Sequence, residues 1–248
     1  MALVLHNKIP FFLSILKHAT ILHPVVRTFY DNRPVGLNLR LMGLPFSHPI
    51  GVASGFDKRG EFTDAMACYS PSFIEIGPLH DVRLTIRNLQ DRKAKDTLVF
   101  GNLSNSKDLV SAFTLLYDFV DAIVFNVSHG SSVSKVIDHL LELRRYNDTN
   151  KPILFKLFPD LMNEELDQVA SYMLESGIDG VIVSAEFVDR IREKTLGLLP
   201  IIAMAEISKP ERAAQLLDTG ADLIAVTNSP FHYGPRLIYK IVKYLDKR

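Results

Sequence analysis

The chain has 248 residues, of which 47% are hydrophobic and 23% are charged, the usual balance for a globular protein. Lys and Arg together number 28, as do Asp and Glu, so no excess charge favours nucleic acid or an anionic surface as a partner. The single cysteine, Cys68, excludes an internal disulfide and a multi-cysteine metal site, and we expect no metal. We interpret Cys68 as a buried helix residue rather than a reactive thiol, in a reducing, cytoplasmic compartment.

Residues 1–32 are predicted to form an N-terminal helical segment, and residues 33–248 a single domain. The apolar start of the chain is interrupted by polar residues and a proline, and no stretch approaches the roughly 20 apolar residues of a membrane-spanning helix. We expect a helix docked on the body. The alternative is a peripheral contact with the inner face of a membrane through four apolar side chains: Phe11, Phe12, Ile15 and Leu16.

A small hairpin is predicted over Val35–Ser47, where Leu37, Leu39 and Leu41 alternate with other side chains and Gly43-Leu44-Pro45 turns the chain. Eight short apolar runs follow, each separated from the next by a longer amphipathic stretch. They are Ile50–Ala53, Phe73–Ile76, Thr97–Gly101, Ala122–Val127, Ile153–Leu157, Gly180–Val183, Pro200–Ala203 and Leu223–Val226. Strands buried on both faces have this composition, and repeated βαβ units form a parallel sheet.

The intervening stretches have helical periodicity, as in Leu161–Ser176 and Ser208–Asp218. In the second of these, Ser208 is expected to cap the helix, Pro210 to lie in its first turn and Gly220 to end it. The predicted fold is therefore a single (β/α)₈ TIM barrel with a short N-terminal helical segment and hairpin. An open doubly wound sheet is the alternative.

The residues that follow the strands are candidate site residues, because the carboxyl ends of barrel strands carry the active site. Lys156 interrupts an apolar strand and must point into the barrel near its mouth. It is either a ligand-binding residue or the partner of Glu186 or Glu206 in a structural ion pair. His129, after the fourth strand, is either a solvated or capping loop residue or a catalytic one.

The stretch Gly51-Val-Ala-Ser-Gly-Phe-Asp-Lys58 resembles the first-strand motif of the class 2, quinone-type dihydroorotate dehydrogenases. Phe73-Ile-Glu-Ile-Gly77 and Lys151-Pro-Ile-Leu-Phe-Lys-Leu-Phe-Pro-Asp-Leu161 resemble the family's second and fifth strands, and the resemblance runs from about Arg33 through Gly234-Pro235. It implies a barrel that carries flavin mononucleotide (FMN) and oxidises dihydroorotate to orotate in pyrimidine biosynthesis.

The resemblance also implies site residues. Those that would bind the cofactor are Ala53, Gly55, Lys58, Asn102, Asn126 and Lys156. Those that would bind the substrate are Lys58, Asn102, Asn126 and Ser131. In Asn126-Val-Ser-His-Gly-Ser131, His129 stands where the family has its catalytic serine base, and Ser131 replaces the family's substrate-binding asparagine.

The family's phosphate-binding glycines are altered: Ala203, Ala205, Glu206 and Ser229 stand in their place. Glu206 would put a carboxylate beside the phosphate, and the loops after the second and sixth strands are short. This pattern favours a diverged homologue with impaired or lost dihydroorotate oxidation. We expect such a protein to bind a small-molecule ligand at the barrel mouth, and a second copy of itself or an active relative. We expect no nucleic-acid partner. The alternatives are a working FMN-dependent enzyme with His129 as base, and a Schiff-base lyase that uses Lys156 beside Lys58.

Overall fold

The computed structural model describes residues 11–103, 109–127, 133–147, 149–157, 163–227 and 236–248. A two-stranded antiparallel hairpin is formed by β1 (Leu39–Leu41) and β2 (Leu44–Phe46). Eight parallel strands then close a barrel in the order β10-β3-β4-β5-β6-β7-β8-β9. They are β3 (Ile50–Val52), β4 (Phe73–Leu79), β5 (Leu98–Leu103), β6 (Ala122–Val127), β7 (Ile153–Leu157), β8 (Gly180–Ser184), β9 (Ile201–Glu206) and β10 (Leu223–Thr227). The predicted TIM barrel is confirmed.

Helices precede the barrel and surround it. They are α1 (Phe11–His18), α2 (His23–Tyr30), α3 (Thr63–Ala67), α4 (Val82–Gln90), α5 (Leu109–Leu116), α6 (Val133–Arg145), α7 (Asn163–Ser176), α8 (Val188–Lys194), α9 (Pro210–Thr219) and α10 (Leu237–Leu245). In α9, Gly220 ends the helix in the left-handed conformation (φ 114°), as predicted. The predicted cap Ser208 is wrong, because Lys209 occupies the cap position and its side chain makes no capping hydrogen bond.

The protein has two apolar cores, one inside the barrel lumen and one between the strands and the helices. They are separate because strand side chains point alternately inward and outward. Aromatic rings fill the lower part of the lumen. Phe73 and Phe100 stack with centroids 4.9 Å apart, and Phe46 meets both rings edge-on. The lumen is therefore a packed core and not a pore.

The hairpin closes the bottom of the barrel. Its turn is Met42-Gly43, with φ of 51° and 77°, so Leu44 and Pro45 belong to the second strand rather than to the turn as predicted. Two positive φ values in a two-residue turn match the twist of the flanking strands. Phe46 at the end of β2 is 2% exposed and covers the lumen from below.

The N-terminal helices dock on the barrel through one face only. Leu13 and Leu16 of α1 are buried, and Phe12 meets Tyr69 edge-on at 5.6 Å between ring centroids. Leu16 therefore faces the protein rather than a membrane. The large apolar side chains that remain exposed on this segment are Phe11, Ile15, Ile21, Leu22, Val25 and Phe29. Among the helices that the structure describes, none combines the length and apolar character needed to cross a membrane.

Cys68 lies directly after α3 and is 1% exposed. Burial raises the pKa of its thiol to about 11. The prediction of a buried cysteine is confirmed, and the thiol is protonated at neutral pH.

His48 makes the stability of the barrel depend on pH. Its ring is fully buried, where Nδ1 accepts from the Ile50 N–H and Nε2 lies 2.8 Å from the Ser70 carbonyl oxygen. Burial lowers the pKa of His48 from 6.5 to about 4. Between these values the unfolded chain binds a proton that the folded protein does not, so stability falls as the pH falls.

We therefore expect the free energy of unfolding to decrease between pH 6.5 and pH 4 by about 1.4 kcal/mol per unit on account of this group. His48→Gln can keep both hydrogen bonds without titrating, so it should flatten the profile from urea unfolding, whereas the exposed His139→Gln should leave the profile unchanged. Equal slopes in wild type and His48→Gln would contradict this role.

Gly51 of β3 makes room for the aromatic layer. A Cβ at this position would lie 2.4 Å from the Phe73 ring. Gly51→Ala should therefore destabilise the protein by about 1–3 kcal/mol through overpacking. Gly36→Ala is the control, since the nearest atom to its Cβ would be 4.0 Å away. Thermal and urea unfolding of both variants test this, and equal midpoints would refute it.

Candidate functional site

A polar layer lies on top of the aromatic layer, at the mouth of the barrel. Strand alternation places Glu75 above Phe73, Asn102 above Phe100, Asn126 above Val124 and Lys156 above Leu154, since the lower member of each pair belongs to the lumen core. Four adjacent strands, β4 to β7, each supply one polar side chain to this layer. We call these four residues the polar floor.

A buried ion pair forms the centre of the polar floor. The Lys156 ammonium lies 2.9 Å from Glu75 Oε1 and 3.0 Å from Oε2, and it also donates to Ser54 Oγ at 2.8 Å. The exposed fractions of the two charged side chains are 5% for Lys156 and 0% for Glu75. Opposite charges at this distance in a dry interior stabilise one another strongly, and each satisfies the other's hydrogen bonds.

Glu75 is the hub of the network. Besides the lysine, its carboxylate accepts from the backbone N–H of Ser54 (3.0 Å) and from the side-chain amide of Asn102 (2.5 Å). The floor thus joins the loop after β3 to strands β4, β5 and β7. Because every donor is on a different element, the carboxylate ties the upper rim of half the barrel together.

Asn102 and Asn126 form a reciprocal amide pair. Asn126 Nδ2 donates to Asn102 Oδ1 at 3.0 Å, and Asn102 Nδ2 donates to Asn126 Oδ1 at 3.2 Å. Asn102 is fully buried, whereas Asn126 is half-buried on the open side. Amides that supply both donors and acceptors at a concave apolar site are typical of small-molecule binding.

The loop after β3 is held by Asp57. Its buried carboxylate accepts from the backbone N–H groups of Arg59, Glu61 and Phe62. Burial raises the pKa of Asp57, although these hydrogen bonds act in the opposite direction. Asp57 therefore shapes the loop and has its acceptors occupied by the chain itself.

Gly77 couples this loop to the end of β4. Its N–H donates to the Asp57 carbonyl oxygen and its own carbonyl oxygen accepts from the Gly55 N–H, both at 2.8 Å. Gly77 has φ 118°, and a Cβ there would lie 2.7 Å from the Asn102 carbonyl oxygen. Only glycine fits this close approach.

The structure brings together only part of the predicted site. Asn102, Asn126 and Lys156 lie in the polar floor, and Ala53 is buried in the lumen core beside it. Gly55 lies in the adjoining loop with φ 109°. Lys58 is exposed on that loop, whereas the Lys156 ammonium donates to Ser54 and Glu75. His129, Ser131 and Ser229 lie outside the described residues.

The predicted partners of Lys156 are wrong. Glu186 and Glu206 are both exposed, and the ammonium pairs instead with Glu75. Sequence reasoning missed Glu75, although the signal was present: it interrupts the apolar strand Phe73–Leu79 just as Lys156 interrupts β7. The Schiff-base alternative needed a second cation beside Lys156, and this position is occupied by a carboxylate.

Strand β9 is longer than predicted and carries Glu206 at its end. Ile202 and Met204 pack in the lumen, whereas Ala203 and Ala205 pack in the outer core. Glu206 continues the inward-facing series, two residues after Met204, and its register partner on β10 is Thr227. The exposed Glu206 carboxylate therefore lies on the mouth side of the barrel, at the β9–β10 edge.

No group of three or more His, Cys, Asp or Glu side chains suited to a metal ion occurs within the described ranges.

Comparison with known proteins finds distant relatives of the chain, although no family model matches it. A dihydroorotate dehydrogenase (quinone) from Pectobacterium atrosepticum is 26% identical over 304 aligned positions, which cover 89% of each chain. Another, from Christiangramia forsetii, is 26% identical over 300 positions, covering 90% of this chain and 88% of the relative. The chain is a distant relative of the quinone-type dihydroorotate dehydrogenases.

Solved structures of dihydroorotate dehydrogenases have the same fold as this chain. Dihydroorotate dehydrogenase from Eimeria tenella in complex with ferulenol superposes with a TM-score of 0.78 at 18% identity, covering 94% of this chain and 93% of that one. The ligand-free enzyme from the same organism gives the same TM-score. The sequence alignments span more positions than this chain has residues, so the relatives contain segments that it lacks.

Removal of one partner of the Lys156–Glu75 pair should be costly. Lys156→Met leaves a buried carboxylate without its counter-charge, and we expect a loss of about 3–5 kcal/mol of unfolding free energy. Glu75→Gln combined with Lys156→Met removes both charges and should recover much of that loss. Urea unfolding of the single and double variants measures the coupling.

The exposed pair Arg248–Asp218 supplies the control, since Arg248→Met should leave the unfolding midpoint almost unchanged. Additive effects of the two substitutions at Lys156 and Glu75 would show that the pair is not coupled, and would refute this interpretation.

Proposed function

We propose that the protein is a dihydroorotate dehydrogenase-like barrel that retains a ligand-binding floor and has lost dihydroorotate oxidation. The observation that carries this proposal is the contrast between two sides of one mouth. On the β4–β7 side, Lys156, Asn102 and Asn126 lie in the polar floor with Glu75. On the β9–β10 side, an inward-facing carboxylate, Glu206, stands where the family resemblance implies a phosphate site.

FMN is the cofactor that the family implies. Its flavin ring suits the mouth of this barrel better than its phosphate does. The polar floor supplies amide donors and acceptors, and a lysine, that suit the edge of a flavin ring. The phosphate end does not fit, because Glu206 faces the mouth and because β9 stays in the sheet through Glu206 instead of opening into a turn of free N–H groups. We therefore derive no reaction through FMN.

A working FMN-dependent oxidoreductase that converts dihydroorotate to orotate is the second candidate. The intact polar floor favours it, because three side chains that the resemblance assigns to the flavin lie together at the mouth. It would require His129 to act as the base in place of serine.

For location, we propose the cytoplasm, with a peripheral membrane contact as the alternative. The exposed apolar side chains of α1 and α2, including Phe11 and Phe29, support that contact. Binding to a second copy or to an active relative stays a prediction.

The absorbance spectrum of the purified protein, before and after incubation with excess FMN and desalting, tests the proposed function. We expect the desalted protein to retain no flavin absorbance that dihydroorotate can bleach. The reasons are that the phosphate of FMN would lie beside a carboxylate and that the family's catalytic serine is replaced. If the protein retains flavin and dihydroorotate reduces that flavin under anaerobic conditions, the proposal is overturned in favour of the working enzyme. His129→Ala is the control variant in that case, since loss of bleaching would assign the base.

A further inference from the structure

We propose that a groove at the bottom of the barrel, beside the hairpin, binds a small organic oxyanion, that is, a carboxylate or a phosphate ester with an apolar body. The groove has a volume of about 630 Å³, a size typical of small-molecule sites, and we call it the hairpin groove. Its border includes Arg33, Asn38, Arg40, Pro45, Ser47 and Asp96. It lies at the opposite end of the barrel from the polar floor, so the inference does not depend on the proposed function.

The hairpin groove has more positive than negative charge around it. Arg27 and Arg33 both donate to the Asp96 carboxylate, so two guanidinium groups share one anion. Burial acts to raise the pKa of Asp96, but these hydrogen bonds outweigh it and hold the pKa below its ordinary value. Asp96 is therefore ionised and already neutralised, and the exposed Asp31 beside Arg33 is the second carboxylate. Arg40 is a third cation at the same groove.

Arg40 supplies a charge that the protein leaves unpaired. It is exposed on β1 directly across from Pro45 of β2, so the two side chains lie on the same face of the hairpin. In the part of the chain that the structure describes, no carboxylate pairs with Arg40. Anchoring of the N-terminal helices accounts for Arg27 and Asp96, but it does not account for this cation. A guanidinium next to apolar surface suits an anion that carries an apolar body.

Unpaired polar atoms gather at the same place. Among the described residues, the buried side-chain nitrogens and oxygens without a hydrogen-bond partner are Nε and Nη2 of Arg33, Oγ of Ser47 and Oγ1 of Thr97. Arg33 and Ser47 border the hairpin groove, and Thr97 follows Asp96 in the chain. Buried polar atoms are nearly always paired, so the concentration of unpaired donors at one groove indicates a binding site.

The Arg33 guanidinium keeps donors for a ligand. Its Nη1 donates to Asp96 at 2.5 Å, whereas Nε lies 3.1 Å from Asp31 Oδ1 without the alignment of a hydrogen bond. The side chain is 21% exposed at the wall of the groove, and a small rotation would turn Nε and Nη2 toward an oxyanion. The planar fork of a guanidinium matches two oxygens of a carboxylate or a phosphate.

Benzoate, phenyl phosphate and benzamide are the matched probes, because they share one ring and differ in the group attached to it. Isothermal titration calorimetry with the full chain gives a Kd for each. We expect at least one of the two anions to bind about tenfold tighter than the neutral amide. Tighter binding of phenyl phosphate would assign a phosphate ester as the ligand class, and tighter binding of benzoate would assign a carboxylate.

Two substitutions locate the binding. Arg40→Gln should weaken anion binding about tenfold and Ser47→Ala about fivefold, because each removes a donor from the groove. Neither should lower the unfolding midpoint without ligand, because the Arg40 charge and the Ser47 hydroxyl are unpaired within the described ranges. Arg83→Gln is the control, since Arg83 is exposed in the first turn of α4 at the mouth end of the barrel and should change neither affinity.

Equal binding of the three probes, or binding of none, would overturn the inference. An anion preference that Arg40→Gln and Ser47→Ala leave unchanged would also overturn it, because the anion would then bind elsewhere. A lower unfolding midpoint for Ser47→Ala would contradict it by showing that the hydroxyl has a partner within the folded chain. The flavin spectrum that tests the proposed function reports on the mouth, so either proposal can fail while the other stands.

Discussion

The ion pair between Lys156 and Glu75 is the interaction on which the mouth of this barrel depends. Each charged group costs several kcal/mol to remove from water, and only a well-placed partner offsets that cost. The two residues lie on β7 and β4, which are not neighbours in the sheet. They meet because the sheet closes, and a closed eight-stranded barrel has a lumen narrow enough for side chains to touch across it.

The layers beneath the pair keep it dry. Phe73 and Phe100 stack below the polar floor, and Phe46 seals the lumen from the hairpin. In a water-free interior, hydrogen bonds to charged groups are strong and unpaired polar groups are costly. The aromatic layer therefore raises the stability of the complete network and the cost of breaking it, and Gly51 contributes by leaving space for the Phe73 ring.

Relatedness to dihydroorotate dehydrogenases at about 26% identity is compatible with a changed site, because a fold supports function only through the side chains placed on it. The scaffold resembles that of the solved dihydroorotate dehydrogenase structures. At the β9–β10 edge, the ladder of this chain continues to Glu206, which pairs in register with Thr227. Under the proposed function, the polar floor would still bind a ring, whereas the β9–β10 edge would not hold a phosphate.

Local sequence patterns were sufficient for the architecture. Runs of apolar residues mark strands buried on both faces, and eight such runs separated by helical periodicity predict a closed parallel barrel. The ends of elements were less predictable. The hairpin turn uses Met42, whose positive φ no propensity favours, and β9 continues to a charged residue that local reasoning assigned to a loop.

For the site, the sequence determined that Lys156 must point into the lumen, because a charge within an apolar strand has no other acceptable position. The sequence left its partner open, since Glu75 interrupts β4, Glu186 follows β8 and Glu206 ends β9. Only the tertiary structure decided among them, because strand register and barrel closure determine which carboxylate is within hydrogen-bond distance across the lumen. The same alternation of side chains decided that Glu206 faces the mouth.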